Sequence, residues 1–253
     1  MNTIWLKNTD STNLHAIRNR SQAEDLTLWS AEYQSAGKGQ RGNKWESDEG
    51  ENLTFTILLR PIGLQVNRQF AVFQIASLAV VDYLKKRGVS ATIKWPNDIY
   101  VGEKKICGML IENFLSGDKL AESIVGIGIN INQIDFPPEI PNPTSLIVEG
   151  GKSIKYDRKV ELEEFVSSFE EIYLPINTQG KWDSEELFEE YTNLLFRKGE
   201  FARYYQTEYY KDGDVGEIYG KIVGVEKESA RLLIELENGQ LRKYFFKEIS
   251  YIL

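Results

Sequence analysis

The chain has 253 residues, enough for one large domain or two smaller ones, with 42% hydrophobic and 12% aromatic residues to build a core. Thirty Lys and Arg against 38 Asp and Glu leave a formal charge of −8, which argues against a nucleic-acid-binding face. A single cysteine, Cys107, excludes an internal disulfide and a cysteine metal cluster, and a single histidine, His15, argues against a histidine metal site or a serine–histidine triad. The N-terminus, MNTIWLKNTDSTN, lacks the basic-then-apolar pattern of a signal peptide, and no apolar run approaches the ~18 residues of a membrane span. The expectation is a soluble cytoplasmic protein with no membrane partner.

In chain order, DSTNLHAIRNR predicts a short helix capped by Asp10 or Ser11, and Leu26–Gln34 predicts a strand. Next comes GKGQRGNKW, Gly37 to Trp45, which contains the string G-x-G-x-x-G. A dinucleotide-binding turn needs a helix straight after its glycines, so that the helix N-terminus meets a pyrophosphate. Here a polar, turn-forming run follows instead. Then comes LTFTILLR, in which Leu53, Phe55, Ile57 and Leu59 alternate onto one face. The glycines therefore join two strands, and no Gly-Lys-Ser/Thr completes a phosphate loop. What remains is a long segment carrying Lys38, Arg41 and Lys44, which reads either as a solvated hairpin connection or as a cationic loop over a ligand.

Asn67 can cap a helix whose Phe70, Phe73, Leu78, Val81 and Leu84 follow roughly helical spacing and which Gly88 stops. Three β segments, Ala91–Val101, Lys105–Leu115 and Glu122–Ile131, are separated by glycine-containing turns and predict an antiparallel meander. FPPEIPNPTSL reads as a proline-rich surface loop. Asp157 can cap a helix that turns Leu162, Phe165, Val166, Phe169 and Ile172 inward and is closed by Pro175; another helix runs from Asp183 to Lys198 and stops at Gly199. From about Phe201 no helical pattern remains. Short strands, with Asn238-Gly239 as a two-residue hairpin signal, predict a small β-barrel. Seven cationic and nine acidic residues between Glu208 and Leu253 argue against nucleic-acid binding by that barrel.

The string with most chemistry is IKWPNDIYVGEKKICGMLIE, Ile93 to Glu112. Proline removes a ladder donor, so Trp95-Pro96-Asn97-Asp98 belongs at a strand end, where Asn97 and Asp98 offer an amide and a carboxylate. Hairpin pairing can bring Lys105 back beside Asp98. A carboxylate next to an ammonium, near further cations, suits a polyanion with a magnesium ion, while an Asx-turn with an exposed lysine is the plainer alternative. In SIVGIGININ, Gly126, Gly128 and Asn130 alternate opposite Val125, Ile127 and Ile129. Two glycines on one strand face leave room for a flat ligand, or for close packing of a helix.

DSTN, AEYQSAGKGQRGNKW, KWPNDIYVGEKKICGMLIE and VGIGININ together resemble, in order and near spacing, the biotin protein ligases (biotin–[acetyl-CoA-carboxylase] ligases). The resemblance covers nearly the whole chain. It implies an α+β fold: a catalytic domain over residues 1–200, with a mixed β-sheet backed by helices (biotin/lipoate ligase-like), then a small C-terminal β-barrel (Src-homology-3-like) over residues 201–253. It implies an enzyme that uses ATP and Mg²⁺ to make biotinoyl-5′-AMP, then transfers biotin to a lysine of a biotin carboxyl carrier protein. A start about ten residues before STN resembles the short form without the N-terminal DNA-binding domain, hence no nucleic-acid partner. A homodimer is compatible with the resemblance.

The resemblance also assigns residues. Ser11, Thr12, Asn13 and Gln34 match the set that hydrogen-bonds the biotin ureido ring, and short hydroxyls and amides suit a neutral ring with one acceptor and two donors. Lys105 matches the reactive-centre lysine between the biotin carboxylate and the α-phosphate. Lys38, Gly39 and Gln40 match the loop over the ligand, with Lys38 also at the reacting centre. Arg41, Trp45, Asn97 and Asn130 match ATP contacts, Trp45 by packing on adenine, and Asp98 matches the magnesium contact. Where the family often has Gly-Arg-Gly-Arg, this chain has Gly37-Lys38-Gly39-Gln40, and Asn43 stands where another arginine is common. Lysine keeps charge without the guanidinium fork, and glutamine keeps neither. Alternatives are a lipoate-type ligase of the same fold family and a non-catalytic biotin-binding module. His15 and Cys107 read as structural.

Overall fold

The computed structural model describes residues 1–151, 153–211 and 215–253, with Arg41 described by its backbone alone. Strand β1 (Asn2–Thr9), helix α1 (Thr12–Asn19) and strand β2 (Thr27–Gln34) open the fold, with β1 and β2 parallel. Sequence reading has no strand at β1. As an edge strand it is half-exposed on both faces, so it carries no apolar alternation. Strand β3 (Leu53–Leu59), helix α2 (Phe70–Lys86) and the strands β4 (Thr92–Lys94), β5 (Asp98–Val101), β6 (Lys104–Ser116) and β7 (Lys119–Ile129) complete a mixed sheet of order β1-β2-β3-β7-β6-β5-β4. The expected meander is present, with Ala91–Val101 split into β4 and β5 by the Trp95-Pro96-Asn97 turn.

A short helix α3 (Leu146–Glu149) precedes α4 (Arg158–Gln179) and α5 (Glu185–Asn193). Asp157 does cap α4, accepting from Lys159 N at 2.8 Å. Pro175 does not close it. A proline forfeits one backbone donor, and the helix continues to the left-handed Gly180, φ 63°. The α2 cap is Gln69 and not Asn67, which lies in a preceding 3₁₀ turn. Helix α5 stops at Asn193 rather than Lys198, because Leu194 and Phe196 exchange backbone bonds with Ile93 at the sheet edge.

Phe55, Ile57, Val125 and Ile127 point to α2 and α4, where Phe55 meets Phe165 with ring centres 4.9 Å apart. Each such buried side chain contributes roughly 1.5–3 kcal/mol. On the opposite face α1 covers only a patch, Ala16 against Trp29, Leu58 and Ile124, and the rest of that face stays open.

Strands β8 (Phe201–Gln206), β9 (Gly216–Val225), β10 (Leu232–Leu236), β11 (Leu241–Tyr244) and β12 (Ile249–Tyr251) form a separate antiparallel sheet of order β11-β10-β9-β8-β12. The expected small C-terminal β unit is there. It is open, since among the described residues no ladder joins β11 to β12. The Asn238-Gly239 hairpin closes on Leu236 and Gln240, which makes a three-residue loop with Gly239 at φ 80° instead of the two-residue turn the sequence signals.

Candidate active site

Register places the site. On the open sheet face, Trp29, Thr56, Gly126 and Leu110 form one cross-strand row; Ala31, Thr54, Gly128, Gly108, Asp98 and Lys94 form the next. The glycines make a trough that other side chains occupy. A Cβ on Gly126 would lie 2.0 Å from Asn13 Oδ1, and one on Gly128 would lie 2.3 Å from the Trp45 ring. Above this floor is a cavity of about 310 Å³.

At one end the first turn of α1 supplies Ser11, Thr12 and Asn13, all buried. Thr12 donates from its backbone N–H (2.7 Å) and hydroxyl (3.1 Å) to Gln34 Oε1. Asn13 Nδ2 donates to Leu110 O (3.1 Å) and Glu112 Oε2 (2.9 Å), and its Oδ1 accepts from the Thr56 hydroxyl at 2.7 Å. This end is therefore neutral at the wall, braced and pre-oriented. Thr54, Thr56 and Glu112 escape sequence reading because they reach the motif residues only through cross-strand pairing.

At the other end the β4–β5 turn presents Lys94, Asn97 and Asp98. Asn97 is locked to β6 in both directions, donating from Nδ2 to Met109 O (2.8 Å) and accepting from Met109 N (2.9 Å). Lys105 Nζ lies 2.7 Å from Asp98 Oδ1, the hairpin juxtaposition the spacing predicts. A bulge produces it. Register slips between Ile99↔Cys107 and Tyr100↔Lys105, leaving Ile106 unopposed and re-aiming Lys105 toward the open face. On its other side Lys105 is clamped by the proline-rich segment, its N donating to Asn142 O (2.8 Å) and its O accepting from Thr144 N (2.9 Å). Asn130 is buried and donates to Thr144 O at 2.9 Å. It thus lies outside the cavity lining and braces the segment that holds Lys105.

The Gly37–Trp45 loop does join two strands. Lys38, Gly39, Gln40 and Trp45 border the cavity, and the Arg41 side chain lies outside the described residues. Trp45 lies on Gly108 and Gly128, with Lys105 Nζ 5.8 Å from its ring centre. Its Nε1 and Gln40 Oε1 are buried without a hydrogen-bond partner among the described residues. Such orphaned groups are costly unless something else comes to meet them.

Sequence reading also misses Lys94, although it opens the KWPND string, and Phe246, Ser250 and Tyr251 of the C-terminal unit, which line the same cavity. No local pattern announces a contact between segments so far apart in the chain. Burial lowers the Lys94 pKa, with Asp98 opposing and Lys105 adding to the shift. Cys107 is fully buried and its thiol is pushed up by that burial, so it is inert there. His15 sits outside the lining, its ring centre 6.2 Å from that of Trp29. Both are structural, as expected.

Residues 5–130 match the biotin/lipoate A/B protein ligase family. The bifunctional ligase/repressor BirA of Bacillus subtilis strain 168 is 33% identical over 255 aligned positions, which span 97% of this chain and 71% of the relative. This chain belongs to that family. A biotin–[acetyl-CoA-carboxylase] ligase of Paracoccus denitrificans is 36% identical over 129 positions, 50% of this chain and 53% of that protein. Among solved family structures, a biotin protein ligase from Aquifex aeolicus in complex with biotin and ATP superposes with a TM-score of 0.75 at 31% identity, covering 98% of this chain and 97% of that one. The likeness thus extends through the C-terminal sheet.

Proposed function

We propose that this chain is an ATP-dependent biotin–protein ligase: it activates biotin as biotinoyl-5′-AMP and transfers it to a lysine of a biotin carboxyl carrier protein. The observation that carries the reading is one cavity holding two ends of matched chemistry. A neutral, hydrogen-bonding wall at Thr12, Asn13 and Gln34 faces a charged wall at Lys105 and Asp98, with a glycine floor between them. The first wall suits a ureido ring, the second a carboxylate meeting a phosphate. Family relatives are named as biotin ligases, and the superposed Aquifex structure holds biotin and ATP.

In this reading Ser11, Thr12, Asn13 and Gln34 hold the ureido ring. Lys105 shields the biotin carboxylate from the α-phosphate's charge and stabilises the negative charge that develops as the two join. Its position is set before substrate arrives, by Asp98 on one side and the Asn142–Thr144 backbone on the other. Lys38, Gly39, Gln40 and Arg41 close over the adenylate, Trp45 packs on the base, and Asn97 stands at the phosphate end. Asn130 acts at one remove, through Thr144. Asp98 is the carboxylate on the cavity wall, and among the described residues no three His, Cys, Asp or Glu side chains gather into a metal cage. That fits Mg²⁺, which prefers one or two carboxylates plus substrate phosphates. When bound, the ion neutralises phosphate charge. The acceptor lysine then attacks the acyl carbonyl and AMP leaves. Residues 1–200 form the catalytic unit, with residues 201–253 completing its cavity.

The test is pyrophosphate release with ATP and biotin, with ATP and lipoate, and with ATP alone. Release only with biotin supports the reading. Release with lipoate alone would move the chain to the lipoate branch, and none with either acid would make it a silent binding module.

A further inference from the structure

Glu112 stands outside the cavity lining, yet it holds a side chain that forms the cavity's neutral end. It lies two residues beyond Leu110 on the open face of β6, half-buried and opposite Ile124, which packs under Ala16 of α1. Among the described residues its carboxylate has Asn13 Nδ2 as hydrogen-bond partner, at 2.9 Å, and no lysine or arginine in ion-pair reach. Asn13 itself is only 3% exposed. Its Nδ2 carries two hydrogens, and Leu110 O and Glu112 Oε2 take both. A carbonyl and a carboxylate accept and do not donate, so turning the amide over would set Oδ1 against two acceptors. Thr56 does not oppose that turn. Its hydroxyl donates to Asn13 Oδ1, but a hydroxyl serves either end of an amide. Of the two bonds that do oppose it, the one to the carboxylate is charge-assisted, so most of the resistance resides in Glu112.

The consequence reaches the ligand. With both amide hydrogens spent behind it, Asn13 offers the cavity only Oδ1, an acceptor. Gln34 is fixed the other way: its Oε1 takes two bonds from Thr12, which leaves Nε2 as a donor. The wall therefore presents a donor at Gln34 and an acceptor at Asn13, and a ureido ring answers with its carbonyl and a ring N–H. We propose that Glu112 is a specificity-determining positioning residue: from behind the wall it fixes Asn13 as an acceptor and makes a ring N–H the condition for tight binding. The inference rests on the ligase reading and states how that site tells its acid from others. The family joins biotin with lipoate, whose dithiolane ring has no N–H to give. An acid without that N–H leaves Asn13 Oδ1 buried and unpaired, and a ring oxygen in its place meets it acceptor against acceptor. Without Glu112 the amide can turn and give Nδ2 to such an oxygen.

The experiment uses the full chain and reads a preference rather than an affinity. Biotin-dependent pyrophosphate release by the unmutated chain comes first, and its absence would fail the ligase reading itself. With that established, calorimetry gives the Kd of biotin and of its two carbamate isosteres, in which one or the other ring N–H is replaced by oxygen. The unmutated chain should prefer biotin by about a hundredfold or more over the isostere whose oxygen faces Asn13. In Glu112→Met that preference should fall by about tenfold, with biotin weakened and the isostere not. Glu112→Gln, whose Oε1 still accepts from Asn13 Nδ2, should restore most of it. If Glu112→Met does not fold, Glu112→Ser gives the same reading, because its hydroxyl is too short to reach Asn13. Equal weakening of biotin and both isosteres would reduce Glu112 to a structural support and overturn the proposal. An unchanged preference in the folded variant, or Glu112→Gln behaving like Glu112→Met, would overturn it as well.

Discussion

The Lys94–Asp98 turn and the Gly37–Trp45 loop border the same cavity, yet their surroundings hold them differently. The turn is tied to β6 by Asn97, to Lys105 by Asp98, and to the C-terminal unit by Trp95. The loop's backbone bonds include Gly39 N to Asn43 O (2.7 Å) and Trp45 N to Gly37 O (3.0 Å), both within the loop, and its Trp45 ring rests on the glycine floor. Charge that must be in place before chemistry sits on the braced side. Groups that must meet a ligand sit on the side free to move, and two of them, Trp45 Nε1 and Gln40 Oε1, have no hydrogen-bond partner among the described residues. A preorganised centre costs nothing to reorganise during reaction, whereas a loop that orders on binding spends entropy to do so.

The largest effect should come from the braced side. Lys105→Ala removes the charge held between Asp98 and the Asn142–Thr144 segment, and adenylate formation should fall by about 10² or more. Near-normal biotin-dependent pyrophosphate release by a folded variant would strip Lys105 of its role.

The glycine floor gives a matched pair that sharpens the comparison. In Gly126→Ala the new Cβ would sit 2.0 Å from Asn13 Oδ1, and Asn13 is held by Thr56, Leu110 and Glu112. It cannot yield without breaking those bonds, so biotin affinity should fall by about tenfold or more. In Gly128→Ala the Cβ would meet the Trp45 ring at 2.3 Å, but that ring belongs to the loop and can swing away. Its effect on biotin affinity should be smaller. Calorimetric titration with biotin measures both, and the reverse order would show that the loop is the stiffer side.

These cases show what a sequence displays and what it hides. The loop and the turn are legible because glycine, proline, asparagine and lysine each limit backbone or chemistry locally. The Lys105–Asp98 pairing is legible because a hairpin folds its own neighbours together. The strand β1 is not, since an edge strand exposed on both faces has no alternation to read. Pro175 misleads because one missing donor is tolerated inside a long packed helix. Asn130 stands out from its place on the glycine strand, but its bond to the Thr144 carbonyl is not legible there. Lys94 with Tyr251 depends on two segments more than a hundred residues apart, a contact that no local periodicity encodes.

A time-resolved probe separates the two sides directly. Amide exchange of residues 36–46 should slow by about tenfold when biotin and a non-hydrolysable ATP analogue bind, while Asn97 to Met109 should change little. Equal protection of the loop with and without ligand would remove the closing role assigned to it. Within that loop, Gln40→Arg adds a charge at a position whose Oε1 is buried and has no hydrogen-bond partner among the described residues. Escape of biotinoyl-AMP should slow severalfold, on the order of 1 kcal/mol, with its formation rate little altered. A chase of radiolabelled adenylate without acceptor reads this. An unchanged or faster escape would assign retention to the braced side, to Lys105 and its neighbours.

The smallest effect tests whether α1, which carries Ser11 to Asn13, belongs with the braced side. His15 lies one turn on, beside Trp29, and burial lowers its pKa, with Arg18 adding to the shift and Asp10 opposing it. The folded state therefore disfavours the imidazolium. Between the unfolded value near 6.5 and the lower folded one, the unfolded chain binds more protons, so His15's contribution to stability is intact above about pH 6.5 and is lost as pH falls through the folded pKa. Because His15 is the chain's sole histidine, one imidazole signal reports it in an NMR titration. The midpoint should fall below 6.5 and drop further, or stay, when biotin is added, since a packed α1 keeps the ring dry. A midpoint at or above 6.5 in the free protein would mean that water reaches the ring, and that the α1 end of the cavity is as loose as the glycine loop.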